Sequence, residues 1–153
     1  MVRVNLIDPR ALADQHLVAE YNEILMLLGY VRKHPARERI PPTYRLGQGH
    51  ILFFKDKLRY VKARHEDVKR EMRRRGFRTE RTIDLAEFPP ALRNDWTPAP
   101  RDLAIIKERI IWKIGRKPTY YRYEGAPEDA ATLIRRVRRA GLSASRRNST
   151  RSR

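Results

Sequence analysis

The feature that most constrains the fold is a helical periodicity in the middle of the chain. Between Ile51 and Arg75 the inward-facing positions recur every three or four residues, which places them along one side of a helix. These positions are Phe54, Leu58, Val61, His65, Val68 and Met72. Gly76 follows directly and suits the C-terminal end of a helix. The sequence therefore predicts one helix from near His50 to just before Gly76.

Two further segments predict helices. Asp8 before Pro9 is a helix-start signal, so a first helix is expected from about residue 9 to Leu28, ended by Gly29. A third helix is expected over about residues 101–114 and should end at Gly115. Its apolar residues are Leu103, Ile106, Ile110 and Ile114. Alternating patterns are unconvincing outside residues 2–6 and 119–123. Together with a length of 153 residues and 41% hydrophobic content, this predicts a compact all-α single domain.

The remaining segments predict loops and a basic extension. Residues 32–49 contain three prolines and two glycines among charged residues, which is typical of a loop with a basic surface. Residues 84–100 contain four prolines and are expected to wrap the core irregularly after a short turn. A short helix is expected from Pro127 to Arg139, followed by a disordered low-complexity end. The predicted division is a domain of residues 1–125 and a basic extension of residues 126–153.

Charge restricts the partner. There are 35 Lys and Arg residues against 18 Asp and Glu residues, a formal net charge of +17, which favours a polyanionic partner such as DNA or RNA. No apolar run approaches the roughly 18 residues of a membrane-spanning helix, and the beginning of the chain lacks the apolar core of a secretory signal. We therefore expect a cytoplasmic protein, nucleoid-associated if prokaryotic, that does not bind membranes.

Several catalytic classes are disfavoured. The absence of cysteine excludes disulfides, cysteine-ligated zinc and a cysteine nucleophile. Neither a phosphate-binding glycine loop nor a zinc-protease motif is present, and the four histidines lack metal-ligand spacing. We expect no metal and no small-molecule cofactor, and no pattern indicates an oligomer, so a monomer is expected.

A backbone amine is a candidate nucleophile. Val2 is small enough for the initiator methionine to be removed, which would leave a free α-amine. With a pKa of about 7.7 to 8.0, roughly a tenth of such an amine is neutral at pH 7, far more than for a lysine. A neutral amine can attack the anomeric carbon of a sugar, provided that a carboxylate nearby stabilises cationic species and moves protons. Glu20 and Glu23 are both candidates, and spacing alone does not choose between them.

Six stretches of sequence resemble a known family. They are VRVNL at 2–6, ALADQHLVAEYNE at 11–23, VRKH at 31–34, TYRLGQGHILFFKDKLRYVKAR at 43–64, RRGF at 74–77 and RKPTYYRYEG at 116–125. In this order they are similar to the pyrimidine-dimer DNA glycosylases with AP lyase activity, of the phage endonuclease V type. The resemblance implies three main helices with the N-terminal segment threaded between them. It also implies double-stranded DNA with damaged bases or abasic sites as the partner.

The resemblance implies a mechanism and a set of site residues. The α-amine of Val2 would form an imine with the damaged nucleotide's sugar, β-elimination would then cut the strand, and Glu23 would be the catalytic carboxylate. Glu20 is expected to be structural, and so are His50 and His65, because these two histidines fall on the packed stripe of the central helix. The residues expected to contact DNA are Arg3, Gln15, His16, Arg32, Lys33, Arg109, Lys113 and Arg122. The plainer alternatives are a partly buried structural histidine at position 16 and a solvated helix face at positions 109 and 113.

The chain departs from the phage enzyme on the first helix. Two arginines that bind substrate there are replaced here by Asn22 and Met26, which remain expected DNA-contact positions. Either the chain accepts a different damaged or modified pyrimidine, or neighbouring basic residues compensate. A third hypothesis is a noncatalytic nucleic-acid-binding protein on the same scaffold. Residues 126–153 carry eight arginines against Glu128 and Asp129, which predicts a nonspecific DNA-affinity extension.

Overall fold

The computed structural model describes residues 3–151, with side chains through Arg147, and is predominantly helical. The helices are α1 (Asp14–Lys33), α2 (His50–Phe54), α3 (Leu58–Arg74), α4 (Pro100–Arg116), α5 (Ala130–Arg139) and α6 (Ala144–Arg151). Two-residue strands β1 (Arg122–Tyr123) and β2 (Ala126–Pro127) pair antiparallel, with Arg122 opposite Pro127. The all-α prediction is confirmed. Within the described residues, no helix combines the length and apolar character that crossing a membrane requires.

The N-terminal segment runs through the interior, as predicted. Residues 3–7 are all buried. The backbone N–H of Val4 donates to His50 Nε2 at 2.9 Å, and the Tyr44 hydroxyl donates to the Val4 carbonyl at 3.3 Å. Arg64 donates to the carbonyl of Ile7. Backbone groups that the core removes from water are thereby satisfied by side chains from other parts of the chain.

The core lies between the N-terminal segment and the three long helices. The buried apolar residues of these helices are Leu17, Ile24, Leu27, Leu28 and Val31 of α1, Leu58, Val61, Val68 and Met72 of α3, and Ile106, Ile110 and Ile114 of α4. An aromatic cluster continues this core, with Trp96 packed edge-on against Phe53, Phe54 and Tyr60 at centroid distances of 5.0 to 5.7 Å. The residues that face inward are those that the periodicity of three and four selects.

The predicted bounds of the first helix are wrong at both ends. Asp8 caps a separate 3-10 turn, Pro9–Ala11, and α1 begins only at Asp14, after an extended Ala13. The helix also continues past Gly29 to Lys33. Burial of Val31 explains the continuation, because its contact with the core offsets the low helix propensity of one glycine.

The predicted central helix is in fact two helices. α2 ends at Phe54 and α3 begins at Leu58, with Lys57 in a non-helical conformation between them. The side-chain amide of Asn94 donates to the Asp56 carbonyl at 2.9 Å, which satisfies a group that the break exposes. Phe54 and Leu58 keep a helical spacing across the break, and therefore the periodicity could not reveal it.

Of the two glycines predicted to end α3 and α4, only one lies at a helix end. Gly76 ends α3 as predicted, in the left-handed conformation with φ of 89°, and the N–H of Phe77 returns to the Met72 carbonyl at 2.8 Å. Gly115, in contrast, lies inside α4, which continues to Arg116. The short turn expected near residues 85–88 is present as the 3-10 turn Leu85–Glu87.

Residues Ala144–Arg151 form the helix α6, in a segment where disorder was expected. Its first turn is held by acidic side chains from earlier parts of the chain. Ser145 Oγ donates to Asp67 at 2.6 Å, and ion pairs join Arg146 to Asp95 at 2.7 Å and Arg147 to Asp8 at 3.0 Å. Composition alone does not reveal such partners, because they lie 51 to 139 residues away in sequence.

Candidate active site

A small cavity of about 70 Å³ lies where the N-terminal segment meets α1 and α4. Three sequence-distant elements line it, namely the N-terminal segment, α1 and α4. Its polar and apolar lining includes Arg3, Asn5, His16, Glu23, Ile110 and Lys113. The structure therefore brings together four of the predicted site residues, namely Arg3, His16, Glu23 and Lys113. Val2 lies outside the described residues.

Glu23 is a half-buried carboxylate on α1. Burial raises its pKa to about 7, and the nearby Glu20 acts in the same direction. The positive charges of Arg3 and Lys113 oppose this shift only in part. Near neutral pH both protonation states are therefore populated, so the group can accept or donate a proton without a large change in free energy.

Two cations, Arg3 and Lys113, line the cavity with this carboxylate, and the charge of Arg109 acts on both of them. Arg3 is only 7% exposed, and its pKa is lowered first by burial and then by Arg109. The pKa of Lys113 is lowered by burial and by the same two arginines. Because their mutual repulsion is only partly offset by Glu23, this end of the cavity is electrostatically suited to an anion such as a phosphate.

His16 lines the cavity together with Arg3 and Lys113. Burial lowers its pKa to about 4, with Lys113 and Arg3 as further causes, so the ring is neutral at pH 7. Its centroid lies 4.7 Å from that of Tyr121. Among the described residues, no group hydrogen-bonds its buried Nδ1 atom. A buried nitrogen without a hydrogen-bond partner in a polar cavity is a group to which a bound ligand can hydrogen-bond.

Gln15 holds the tyrosine-rich segment against α1. Its Nε2 donates to the Tyr120 carbonyl at 2.8 Å, and its Oε1 accepts from the Arg122 N–H at 2.9 Å. Asp14 adds to this junction by accepting from the N–H groups of Glu124 and Gly125. The DNA contact expected of Gln15 stays a prediction, and its contacts here give it a positioning role as well.

The other expected DNA-contact residues do not line the cavity. Asn22 and Met26 are exposed on α1, and Met26 is 60% exposed. Arg109 lies over the ring of Trp112 at 4.4 Å.

Arg32 and Lys33, at the end of α1, do not line the cavity. Arg32 pairs with Glu87 at 2.8 Å. The side chain of Arg122 is exposed on β1.

Glu20 differs from Glu23 although both lie on α1. Glu20 is fully buried and accepts hydrogen bonds from Arg64 at 2.6 and 2.8 Å and from Asn5 at 2.9 Å. The predicted structural histidines are likewise engaged, His50 with Val4 and His65 with the Tyr21 carbonyl at 3.3 Å. Within residues 3–147, no cluster of three or more acidic or histidine side chains suits a metal ion.

Sequence reasoning missed three contributors to the cavity, namely Asn5, Ala19 and Ile110. Asn5 lines it and also binds Glu20, and Ile110 supplies an apolar wall. Asn5 lies within the VRVNL stretch, but its side-chain partners are 15 residues distant, so no local pattern marks its role.

A comparison with protein-family models identifies a matching family. The model described as pyrimidine dimer DNA glycosylase matches residues 1–85, more than half of the chain. This span includes the N-terminal segment, Glu23 and all of α1 to α3, whereas α4, with Arg109 and Lys113, follows it.

Proposed function

The chain belongs to the pyrimidine dimer DNA glycosylase family, and from this premise we propose that it excises UV-induced cyclobutane pyrimidine dimers and then cuts the strand as an AP lyase. As a DNA repair glycosylase of this family it binds damaged DNA. The observation that carries the proposed mechanism is the cavity that Glu23 shares with Arg3, the first described residue of the chain.

The proposed nucleophile is the α-amine of Val2, freed by removal of Met1. Its nitrogen forms a bond to C1′ of the damaged nucleotide, and the glycosidic bond breaks with its electron pair leaving on the base. The nitrogen loses a proton and its electron pair forms the C1′=N bond of an imine, while the C1′–O4′ bond breaks and O4′ takes up a proton. Removal of a C2′ proton then expels the 3′ phosphate with the electrons of its C–O bond, and the strand is cut.

Covalent geometry supports this choice of nucleophile. The Cα atoms of adjacent residues are about 3.8 Å apart, so residue 2 is tethered within that distance of Arg3 at the cavity. The surrounding cations disfavour an ammonium ion and so favour the neutral, reactive amine. Lysine side chains lack this advantage, because only about a thousandth of an ordinary lysine is neutral at pH 7.

Glu23 is the proposed proton carrier. With a pKa of about 7, its carboxylate accepts the C2′ proton, and its acid form donates to leaving groups. Arg3, Arg109 and Lys113 are the proposed phosphate contacts nearest the reaction centre. Gln15, His16, Asn22, Met26 and Arg122 are proposed to contact DNA beside it, and Arg32 and Lys33 farther along the duplex.

A second candidate, excision of another modified base, is favoured by the α1 surface. Asn22 and Met26 give this surface two neutral, exposed side chains next to Glu23. A panel of duplexes with single lesions separates the candidates. Cleavage of abasic DNA without cleavage of dimer-containing DNA would select the second one.

Borohydride trapping tests the mechanism. Mass spectrometry of the purified chain first establishes whether Met1 has been removed. The protein is then mixed with abasic duplex and reduced with borohydride. We expect a covalent adduct, mapped by peptide sequencing to the amine of Val2, and strand cleavage that Glu23→Gln strongly slows. Glu108→Gln, an exposed carboxylate change on α4, is the matched control and should cleave at the wild-type rate.

Two outcomes would contradict the mechanism. One is full strand cleavage by a chain whose residue 2 is acetylated. The other is an adduct that maps to a lysine side chain. Absence of any adduct from a correctly processed chain would instead favour a noncatalytic DNA-binding protein.

A further inference from the structure

The solvent-facing side of α1 extends beyond the candidate active site. Gln15, Ala19, Asn22 and Met26 recur at helical spacing along this face. We call these four residues the α1 face. None of them carries a charge, although the chain as a whole has a net charge of +17. Cations that hold a polyanion over this face must therefore come from neighbouring elements.

Three cavities along the α1 face share lining residues and so lie next to one another. Ala19 lines both the Glu23 cavity and a neighbouring cavity of about 600 Å³ beside Arg122. Asn22 in turn lines the latter and a third cavity of about 550 Å³. Together the three cavities therefore extend from Glu23 to Met26 at the far end of the α1 face.

The third cavity is bordered by a short basic loop. Arg78, Glu80 and Arg81 line it from the loop after α3, opposite Asn22 and Met26. Both arginines are exposed, and within the part of the chain that the structure describes neither forms an ion pair. Glu80 is the one acidic side chain among those lining residues.

The loop that carries these arginines is held in place. The Tyr21 hydroxyl of α1 accepts hydrogen bonds from the backbone N–H groups of Glu80 at 3.1 Å and Arg81 at 2.9 Å. Tyr21 is itself buried and stacked on His65, with centroids 4.8 Å apart. Arg73 donates to Thr79 Oγ1 at 2.8 Å. The loop backbone is thus fixed to α1, while the two guanidinium groups remain available to a ligand.

We propose that Arg78 and Arg81 bind phosphates of the DNA strand that lies over the Met26 end of the α1 face. Guanidinium groups pair with phosphate oxygens in a fixed geometry, and such contacts position a duplex without reading its sequence. Fixed by Tyr21, the loop supplies the positive charge that Asn22 and Met26 lack. This inference rests on the proposed function, since it extends the DNA surface from the same reaction centre.

Salt dependence of DNA binding tests the inference. The double variant Arg78→Ala/Arg81→Ala is titrated with a duplex containing an uncleavable tetrahydrofuran abasic site at several salt concentrations. Each phosphate contact contributes about 0.9 to the slope of log affinity against log salt, so the slope should fall by about 1.8. Between 50 and 200 mM salt, the wild type should then lose about twelvefold more affinity than the variant.

Two controls separate a phosphate contact from a general effect of charge or folding. Arg59→Ala/Arg101→Ala removes the same charge from exposed positions that line none of the three cavities, and should leave the slope near the wild-type value. Arg78→Lys/Arg81→Lys keeps the charge and should retain most of the slope. An alanine variant with the wild-type slope, or a control variant with an equal loss, would overturn the inference.

The result is distinguishable from failure of the proposed mechanism. At saturating abasic DNA the Arg78→Ala/Arg81→Ala variant should still form the covalent adduct, because neither arginine lines the Glu23 cavity. Failure of wild-type trapping would contradict the mechanism, whereas an unchanged salt slope would contradict only the phosphate contacts.

Discussion

The backbone N–H of Val4 donates to Nε2 of His50, with 2.9 Å between the two nitrogens. Because Nε2 accepts, the proton of the neutral ring is on Nδ1, which donates to the Arg45 carbonyl at 2.8 Å. Burial is the largest cause that lowers the pKa of His50, in agreement with a neutral ring. This contact fixes the segment that leads to the Glu23 cavity, two residues from the proposed nucleophile.

Replacement of His50 should therefore affect catalysis through position. We expect His50→Leu to leave the buried Val4 N–H unsatisfied and to lower the free energy of unfolding by about 1–3 kcal/mol. Imine formation should slow, measured by single-turnover trapping, while the dissociation constant for abasic DNA changes little. His50→Gln retains an acceptor and should recover part of the rate. Equal weakening of DNA binding and rate would contradict this positioning role.

The buried ion pair between Glu20 and Arg64 should be a structural requirement. Glu20→Gln leaves the Arg64 guanidinium without its charged partner, which typically costs about 3–5 kcal/mol. The double variant Glu20→Met/Arg64→Leu removes both charges and should be more stable than the single variant. Urea denaturation measures both effects. A double variant that is no more stable than Glu20→Gln would show that the two side chains are not energetically coupled.

Glu23→Gln should have the opposite effect on stability. A carboxyl group whose pKa is raised on folding stabilises the protein below its unfolded pKa, and this contribution is lost as pH rises through about 7. At pH 8 the ionised wild-type group is unfavourable in its cavity, so the neutral amide should stabilise the fold. After allowance for its partial exposure, we expect a gain of about 1–2 kcal/mol by urea denaturation. At pH 4 the gain should disappear.

The elimination step should depend on pH through the same carboxyl group. If ionised Glu23 takes the C2′ proton, the single-turnover rate from the preformed imine should rise about tenfold per pH unit below 7 and level off above 8. His16 adds no step in this range, since its pKa is about 4. Glu23→Gln should remove the rise of the rate with pH near pH 7. A rise that persists in this variant would assign the titration to another group.

Removal of α6 should destabilise the DNA-free protein. A chain ending at Leu142 loses the contacts of Ser145 with Asp67 and of Arg146 with Asp95, and leaves a buried Asp67 with fewer partners. We expect a lower melting temperature in addition to weaker nonspecific DNA binding. Arg138→Ala/Arg139→Ala removes two exposed charges at the end of α5 and should weaken DNA binding alone. An unchanged melting temperature after truncation would show that α6 contributes no stability.

Much of the fold followed from local patterns. The spacing of Leu103, Ile106, Ile110 and Ile114 predicts α4 and its inward face, because a buried side must recur with the helical period. Spacing could not locate the break between Phe54 and Leu58, where Asn94 from another segment satisfies the interrupted backbone. It also could not predict α6, whose first turn depends on acidic residues far away in sequence.

The sequence by itself determined the helical class, the inward faces of the long helices, the excess positive charge and the family resemblance, since these depend on residue type and short-range order. Only the tertiary structure decided how Glu20 and Glu23 differ, although they are three residues apart on one helix. Arg64 neutralises Glu20 in the core, whereas Glu23 faces a small cavity in which burial raises its pKa to about 7. Desolvation and ion pairing depend on which distant residues meet, and that is fixed only when the chain has folded.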